Sequence, residues 1–342
     1  MNEEWQNFLE ARGARLDEQG FARFDRRAAE CALVDLSWLG LIRVAGKDAA
    51  GFLQGQLTND TRLVDDIHSA LGAYCTPKGR MLALFRMFRR NDALWLLLPA
   101  ERLEATLGRL GMFVLMSQVE LADASDDLVR IGLAGDCAPA LIADQLGAAP
   151  EAPNGVSTHG DFTVIRAEGS LPRFLVIGPP GAMKPLWDAL AKQASPVDSD
   201  YWRLLDIRAG VPSVWDATAE AFVPQMANLQ LIDGVSFTKG CYTGQEVVAR
   251  MQYLGKLKRR MYPGVIAGGK APAAGTSLYS EAGQSAQGSG KVVDAVLNEA
   301  GDAEALAVVE IQAAEAGPLR VGAQDGAEIR LTEPPYGFNK DE

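Results

Sequence analysis

The sequence predicts an α+β protein that closes with a small β-barrel. Helical and strand-like periodicities alternate through the first 260 residues, and at Met261 the texture changes to short strand-like runs between glycine-rich turns. No apolar run reaches the roughly 20 residues that a membrane helix needs. The chain has 342 residues, 48% of them hydrophobic and 23% charged, which are ordinary proportions for a globular chain of two or three domains.

Trp5, Phe8, Leu9, Arg12 and Leu16 recur at helical spacing and predict a leading amphipathic helix over 4–16. "CALVDLSW" and "GLIRVAG" read as short strands. "KDAAGFLQGQLTND" reads as a helix with Phe52, Leu53 and Leu57 on one face. Residues 70–75, 81–88 and 94–98 predict a three-stranded meander, joined by the turn sequences "TPKGR" and "RRND". A helix follows over 101–110. "LVRIGLAGDCAPALIADQLG" and "RFLVIGPPGAMKPLWDALAKQ" share a plan of strand, Gly/Pro turn and helix, with "AAPEAPNGVSTHG" between them as a loop. A helix over 201–209 stops at Gly210, with Pro212 just beyond. The runs "MYPGVIA", "TSLYS", "GSGKVVDAVLN", "ALAVVEI" and "AEIRLTE" then predict the barrel strands.

Composition narrows the chemistry. Cys31, Cys75, Cys137 and Cys241 are scattered without a C-x-x-C pair, so their spacing predicts neither a zinc site nor a disulfide framework. His68 and His159 are the two histidines, too few for a His-rich metal site, and no nucleophile-elbow motif supports a catalytic triad. The acidic, amphipathic start is not a secretory signal, so a cytoplasmic location without membrane contact is expected. The net charge of -11 is uneven: residues 281–342 hold twelve acids and four bases, whereas Arg250, Lys256, Lys258, Arg259 and Arg260 form a stretch with no acid.

Residues 238–250, "TKGCYTGQEVVAR", concentrate the remaining signals. Thr243 and Glu246 predict a capping box, and Val247, Met251 and Leu254 the apolar stripe of a helix ending at Gly255. Cys241 then precedes a helix N-terminus and follows Lys239, and both positive influences favour thiolate over thiol. Gly240 and Gly244 allow backbone angles or close approaches that a side chain forbids. Cys31, Cys75 and Cys137 lie in apolar runs and read as small core residues. A cysteine before a helix is equally a well-packed small side chain, and a basic stretch equally a solvated face; spacing alone leaves both readings open.

The longer segment "GVSFTKGCYTGQEVVARMQYLGKLKRRMYP" closely resembles the hallmark of the YgfZ family, folate-binding proteins of iron–sulfur cluster biogenesis and tRNA modification. "FLQGQLTND", "TPKGRML", "RAGVPSV" and "FVPQMANLQL" fall in that family's order. More broadly the chain is similar to the aminomethyltransferase of the glycine cleavage system. The resemblance implies interleaved α+β lobes around a central folate cavity over residues 1–260, followed by a barrel over 261–342. Lobe one would take about 1–124 plus 200–260, and lobe two about 125–199.

The resemblance also implies tetrahydrofolate or a one-carbon derivative as cofactor, and an accessory role in assembling or repairing iron–sulfur clusters. Its implied partners are iron–sulfur assembly proteins or cluster-dependent client enzymes; direct tRNA contact through the basic residues 256–260 is a separate, minor reading. Cys241 would be the essential thiol, with Lys239 and Arg250 beside it. Lys239, Gly240, Cys241, Tyr242, Gly244, Gln245 and Glu246 make up the motif. Lys78 and Arg80 would pair with the folate tail, Gln225 and Asn228 with the pterin edge, and Asn59 and Asp60 would face the cavity. Each also has a structural reading, as a charged turn, a helix end or a backbone tie. Where an aminomethyltransferase is expected to place an acid, this chain has Met81, Leu82 and Ala83. Ordinary aminomethyl transfer is therefore expected to be disabled, and a folate-dependent one-carbon transferase is the alternative function.

Overall fold

The computed structural model describes residues 1–280 and 288–338. In chain order its elements are α1 (Glu3–Glu10), β1 (Arg15–Leu16), β2 (Ala22–Arg23), β3 (Ala32–Asp35), β4 (Leu39–Ala45) and α2 (Ala49–Gln54). Then come β5 (Ala70–Cys75), β6 (Met81–Arg90), β7 (Ala93–Pro99), α3 (Leu103–Gly111), β8 (Glu120–Asp123), β9 (Val129–Ala134) and α4 (Ala138–Leu146). The middle continues with β10 (Val156–His159), β11 (Phe162–Arg166), β12 (Arg173–Gly178), α5 (Pro180–Leu190), β13 (Ser195–Val197) and α6 (Asp200–Ala209). The 3-10 turns Pro224–Ala227 and Leu229–Ile232 lead to α7 (Gln245–Tyr253). The last elements are β14 (Arg259–Ile266), β15 (Ser277–Ser280), β16 (Gly290–Leu297), β17 (Ala303–Glu310), α8 (Ile311–Ala316), β18 (Leu319–Val321) and β19 (Glu328–Leu331).

The chain packs as two compact units that exchange segments. One comprises Met1–Phe52, Thr61–Ala70 and Arg86–Arg203; the other comprises Leu53–Asp60, Leu71–Phe85 and Leu204–Glu342. In the first, a six-stranded sheet runs β10-β11-β12-β9-β3-β13. Its apolar side chains join those of α1, α4 and α5 in a core that includes Trp5, Leu33, Leu133, Phe174 and Trp187. Because β3 pairs with β9 along Ala32–Asp35, this sheet draws a strand from outside residues 125–199.

That pairing also explains a correction. Cys31 and Cys137 form a disulfide, although their spacing predicted none and suggested two plain core residues. They are 106 residues apart, but Ala32 lies opposite Ala134 in the β3–β9 register, so the residues flanking these strand ends meet. On the loop-entropy view, closing so long a loop contributes about 4–5 kcal/mol. Cys137→Ser is therefore expected to lower the urea midpoint of the oxidised chain. The difference from the parent should vanish when both are measured reduced.

Other differences are local. The leading helix stops at Glu10 rather than near residue 16, because Gly13 turns the chain at φ +91° and Arg15–Leu16 pair with Ala22–Arg23 instead. The expected loop before residue 160 ends in β10, which places His159 on a strand.

In the second unit β14-β17-β16-β15-β18-β19 close into a barrel. Ala295, Ala303, Ala305 and Ala307 line its core beside Ile266, Leu278, Val292 and Ile329, and such small residues suit a narrow barrel interior. Arg208, at the end of α6, donates to Glu304 at 2.7 Å and to Glu299 at 3.0 Å. Burial opposes ionisation of Glu304, but hydrogen bonds from Arg208 and Asn298 outweigh it and hold this carboxyl below its ordinary range. A depressed carboxyl stabilises the fold above its unfolded value of 4.5, and that contribution is lost as the pH falls through the folded value. Glu304→Gln should accordingly flatten the acid limb of the stability curve, read as urea midpoints at neutral and acid pH.

Candidate functional site

The hallmark segment lies in the second unit, and its residues divide into buried anchors and an exposed crest. Lys239 is buried, and its ammonium donates to the carbonyls of Gln54 and Leu57 at 2.6 Å and of Asn59 at 3.0 Å. The Gln54 carbonyl ends α2, where the last turn of a helix leaves acceptors without partners, and those of Leu57 and Asn59 follow just beyond it. Lys239 thus fastens the loop to residues 54–59, and its ammonium also sits 5.0 Å from the centre of the Tyr242 ring. Tyr242 is buried too, and burial, helped by the neighbouring Cys75, pushes its phenol up. Between these anchors Gly240 and Cys241 are both exposed. The other free thiol, Cys75, is buried, and burial pushes it up to about 12.

The expected capping box is absent. Helix α7 begins at Gln245, its cap residue is Gly244 at φ +86°, and no side chain caps it. A Cβ on Gly244 would lie 2.5 Å from the Thr76 carbonyl oxygen and 3.1 Å from Gly79. Only a left-handed residue without a side chain fits there, so the helix starts beyond Thr243. Glu246 is exposed in the first turn, where a carboxylate suits the dipole without reaching back to the cap. The expected stripe is shifted as well. Val248 is fully buried, whereas Val247 and Leu254 are exposed. The close approach ties the "PKGR" turn to the start of α7, and Gly79 itself packs against Val247. Gly244→Ala is expected to destabilise the protein by about 1–3 kcal/mol, measured by chemical denaturation, because it combines a clash with a positive φ.

The residues expected to meet folate are placed as follows. The Asn59 amide donates to the carbonyls of Leu71 and Asp233, both at 2.7 Å, and its oxygen accepts from the Asp60 amide. Asp60 accepts from Gln54 at 3.1 Å. Asn228 donates to the Met261 carbonyl at 2.8 Å and to the Tyr336 hydroxyl at 3.1 Å, and accepts from the Met261 amide, so it ties a 3-10 turn to β14. Arg80 donates to the Ala221 carbonyl at 2.6 Å. Gln225 donates to the Val248 carbonyl at 2.6 Å, while its Oε1 is buried with no hydrogen-bond partner among the described residues. Lys78 is exposed on its turn, and Arg250 is exposed on α7.

For a reduced pterin, which presents amino and ring N–H donors, the unmatched Gln225 Oε1 is a fitting acceptor. Lys78 is a fitting cation for tail carboxylates. Asn59 and Asn228 instead spend their amide donors within the chain, on the Leu71, Asp233 and Met261 carbonyls and the Tyr336 hydroxyl. Met81, Leu82 and Ala83 are buried at the start of β6 and offer no carboxylate. Among the described residues no cluster of His, Cys, Asp or Glu is placed to hold a metal ion.

Sequence reasoning missed the partners of Lys239 and the supporting role of Thr76. A signal existed for the first: a buried ammonium needs several acceptors, and "FLQGQLTND" supplied a helix exit.

No protein-family model matches the chain. Similar proteins are "tRNA-modifying protein YgfZ" of Yersinia enterocolitica, 34% identical over 311 residues, which span 90% of this chain and 93% of that protein. The protein of the same name from Sodalis glossinidius is 33% identical over 308 residues, spanning 90% and 94%. That of Colwellia psychrerythraea is 36% identical over 233 residues, spanning 68% and 71%. Among solved structures, the glycine cleavage system aminomethyltransferase T from Bartonella henselae superposes with a TM-score of 0.76 over 98% of both chains at 16% identity. That likeness shows a shared fold.

Proposed function

The chain belongs to the YgfZ family, and from that premise we propose that it is a tetrahydrofolate-binding accessory factor in the assembly or repair of iron–sulfur clusters. The enzymes it supports include those that thiolate tRNA, in keeping with the name its relatives carry. The observation that carries this reading is the exposed thiol of Cys241, set between the buried anchors Lys239 and Tyr242. The fold shared with an aminomethyltransferase supports the folate half of the proposal.

Tetrahydrofolate, when bound, supplies a carrier of one-carbon units. Gln225 would accept a hydrogen bond from the pterin edge through Oε1, and Lys78 would pair with the tail. Cys241 acts on the cluster, which is cargo here. A cluster typically takes four cysteinyl ligands, so Cys241 serves as one ligand or exchanging thiol, and a partner supplies the others. Aminomethyl transfer is disfavoured because residues 81–83 offer no group to manage the protons. A cytoplasmic location belongs to the same proposal; no described helix is long and apolar enough to cross a membrane.

Calorimetric titration with tetrahydrofolate tests the folate half. Saturable binding is expected, weakened about three- to tenfold by Lys78→Ala and by Gln225→Leu. No heat of binding with the parent protein would refute it. Incubation with folate and amine donors should leave the folate pool unchanged by mass spectrometry; turnover would favour the transferase alternative.

A further inference from the structure

The end of α7 carries an exposed surface that the proposed chemistry does not use. Tyr253 is 68% exposed and Leu254 84%, with Val247 exposed on the same helix. A Cβ on Gly255 would lie 2.9 Å from the Cα of Met251 and 3.0 Å from its carbonyl oxygen, so the chain folds back tightly there and holds Leu254 outward. Lys256 and Lys258 follow, both exposed, and Arg250 is exposed one turn earlier. From Val247 to Lys258 there is no acid. Isolated apolar residues on a surface are ordinary, but several on one short segment among cations mark an interaction site. This surface adjoins the thiol loop: the Tyr253 ring meets Phe237 edge-on at 6.0 Å, four residues before Cys241.

Charge and exposure decide what covers it. Arg259 is paired with Glu310, and Arg260 lies over the Phe338 ring, so both are engaged within the chain. The remaining cations, Arg250, Lys256 and Lys258, are few beside the roughly 6–10 phosphate contacts of a nucleic-acid footprint. Tyr253 offers one ring, held edge-on by Phe237, and Leu254 and Val247 offer nothing for a base to stack on, whereas apolar anchors ringed by charge are typical of protein interfaces. We propose that Arg250, Tyr253, Leu254, Lys256 and Lys258 form a docking surface for a partner protein through a segment that carries apolar side chains flanked by carboxylates. The surface brings that segment beside Cys241. This rests on the proposed accessory role in one respect: the partner is a cluster-dependent enzyme.

The test is binding of the purified full chain to a purified cluster-dependent tRNA-thiolating enzyme, read by calorimetry at physiological salt. Leu254→Asp and the double variant Lys256→Glu/Lys258→Glu should each weaken binding about tenfold or more. Cys241→Ser should keep binding yet fail to rescue cells, which separates failure of the thiol chemistry from failure of the docking surface. Absence of binding by the parent, or binding indifferent to these substitutions, overturns the proposal. Two further outcomes also overturn it. One is a gel shift with bulk tRNA that the Lys256→Glu/Lys258→Glu variant loses and Leu254→Ser keeps; the other is self-association in sedimentation that Leu254→Asp abolishes.

Discussion

Cys241→Ser should leave the fold in place and abolish rescue of cells that lack the native protein. The side chain is exposed, and substitutions at such positions usually change stability by no more than about 0.5 kcal/mol. Serine keeps the shape but neither ligates iron as a thiolate does nor exchanges with a partner's sulfur. The chain holds no substitute: Cys31 and Cys137 are joined, and Cys75 is buried with its thiol pushed up to about 12. The readout is the thiolated nucleoside content of cellular tRNA, with activity of a second cluster-dependent enzyme as control. Both should fall to the level of cells without the protein, and Cys75→Ala should retain rescue. Full rescue by Cys241→Ser would refute an essential thiol.

Lys239→Met carries the next largest expectation, and it concerns stability. The substitution keeps an unbranched side chain but withdraws the donor from the Gln54, Leu57 and Asn59 carbonyls. A buried acceptor left without a partner costs about 1–3 kcal/mol, so a total on the order of 3 kcal/mol is expected. Urea unfolding should show a lower midpoint, and Lys239→Arg should recover little of it, since a planar fork does not reproduce three bonds converging on one nitrogen. An unchanged midpoint with lost cellular activity would show instead that Lys239 acts in the chemistry itself. The two outcomes separate a fastener from a reactive group.

The sequence made the local elements legible where period and punctuation agree. The bounds of β5 are visible because "TPKGR" ends an unbroken apolar run, and the barrel because glycine turns divide its strands. Long-range pairings are what periodicity does not contain. Nothing near Cys31 announces Cys137, since only the β3–β9 register brings them together. The capping box at Thr243 obeyed a sound local rule, but the tertiary contact of Gly244 with the Thr76 carbonyl overrode it. That one-residue displacement accompanies a different buried face of α7, with Val248 inside and Leu254 outside. At the candidate site, motif likeness singled out Lys239 and Cys241 together, and their opposite burial divides their roles. Asn59 and Asn228 looked like ligand contacts because amides suit a pterin edge, yet the backbone claims both.

On the proposed function, Cys241 is the accessible sulfur of a folate-binding protein. The most direct test is alkylation of the native, oxidised protein by a maleimide, mapped by peptide mass spectrometry with and without saturating tetrahydrofolate. One fast modification is expected, at position 241, and folate should slow it. No reaction at 241, or a rate there that folate leaves unchanged, would contradict the account.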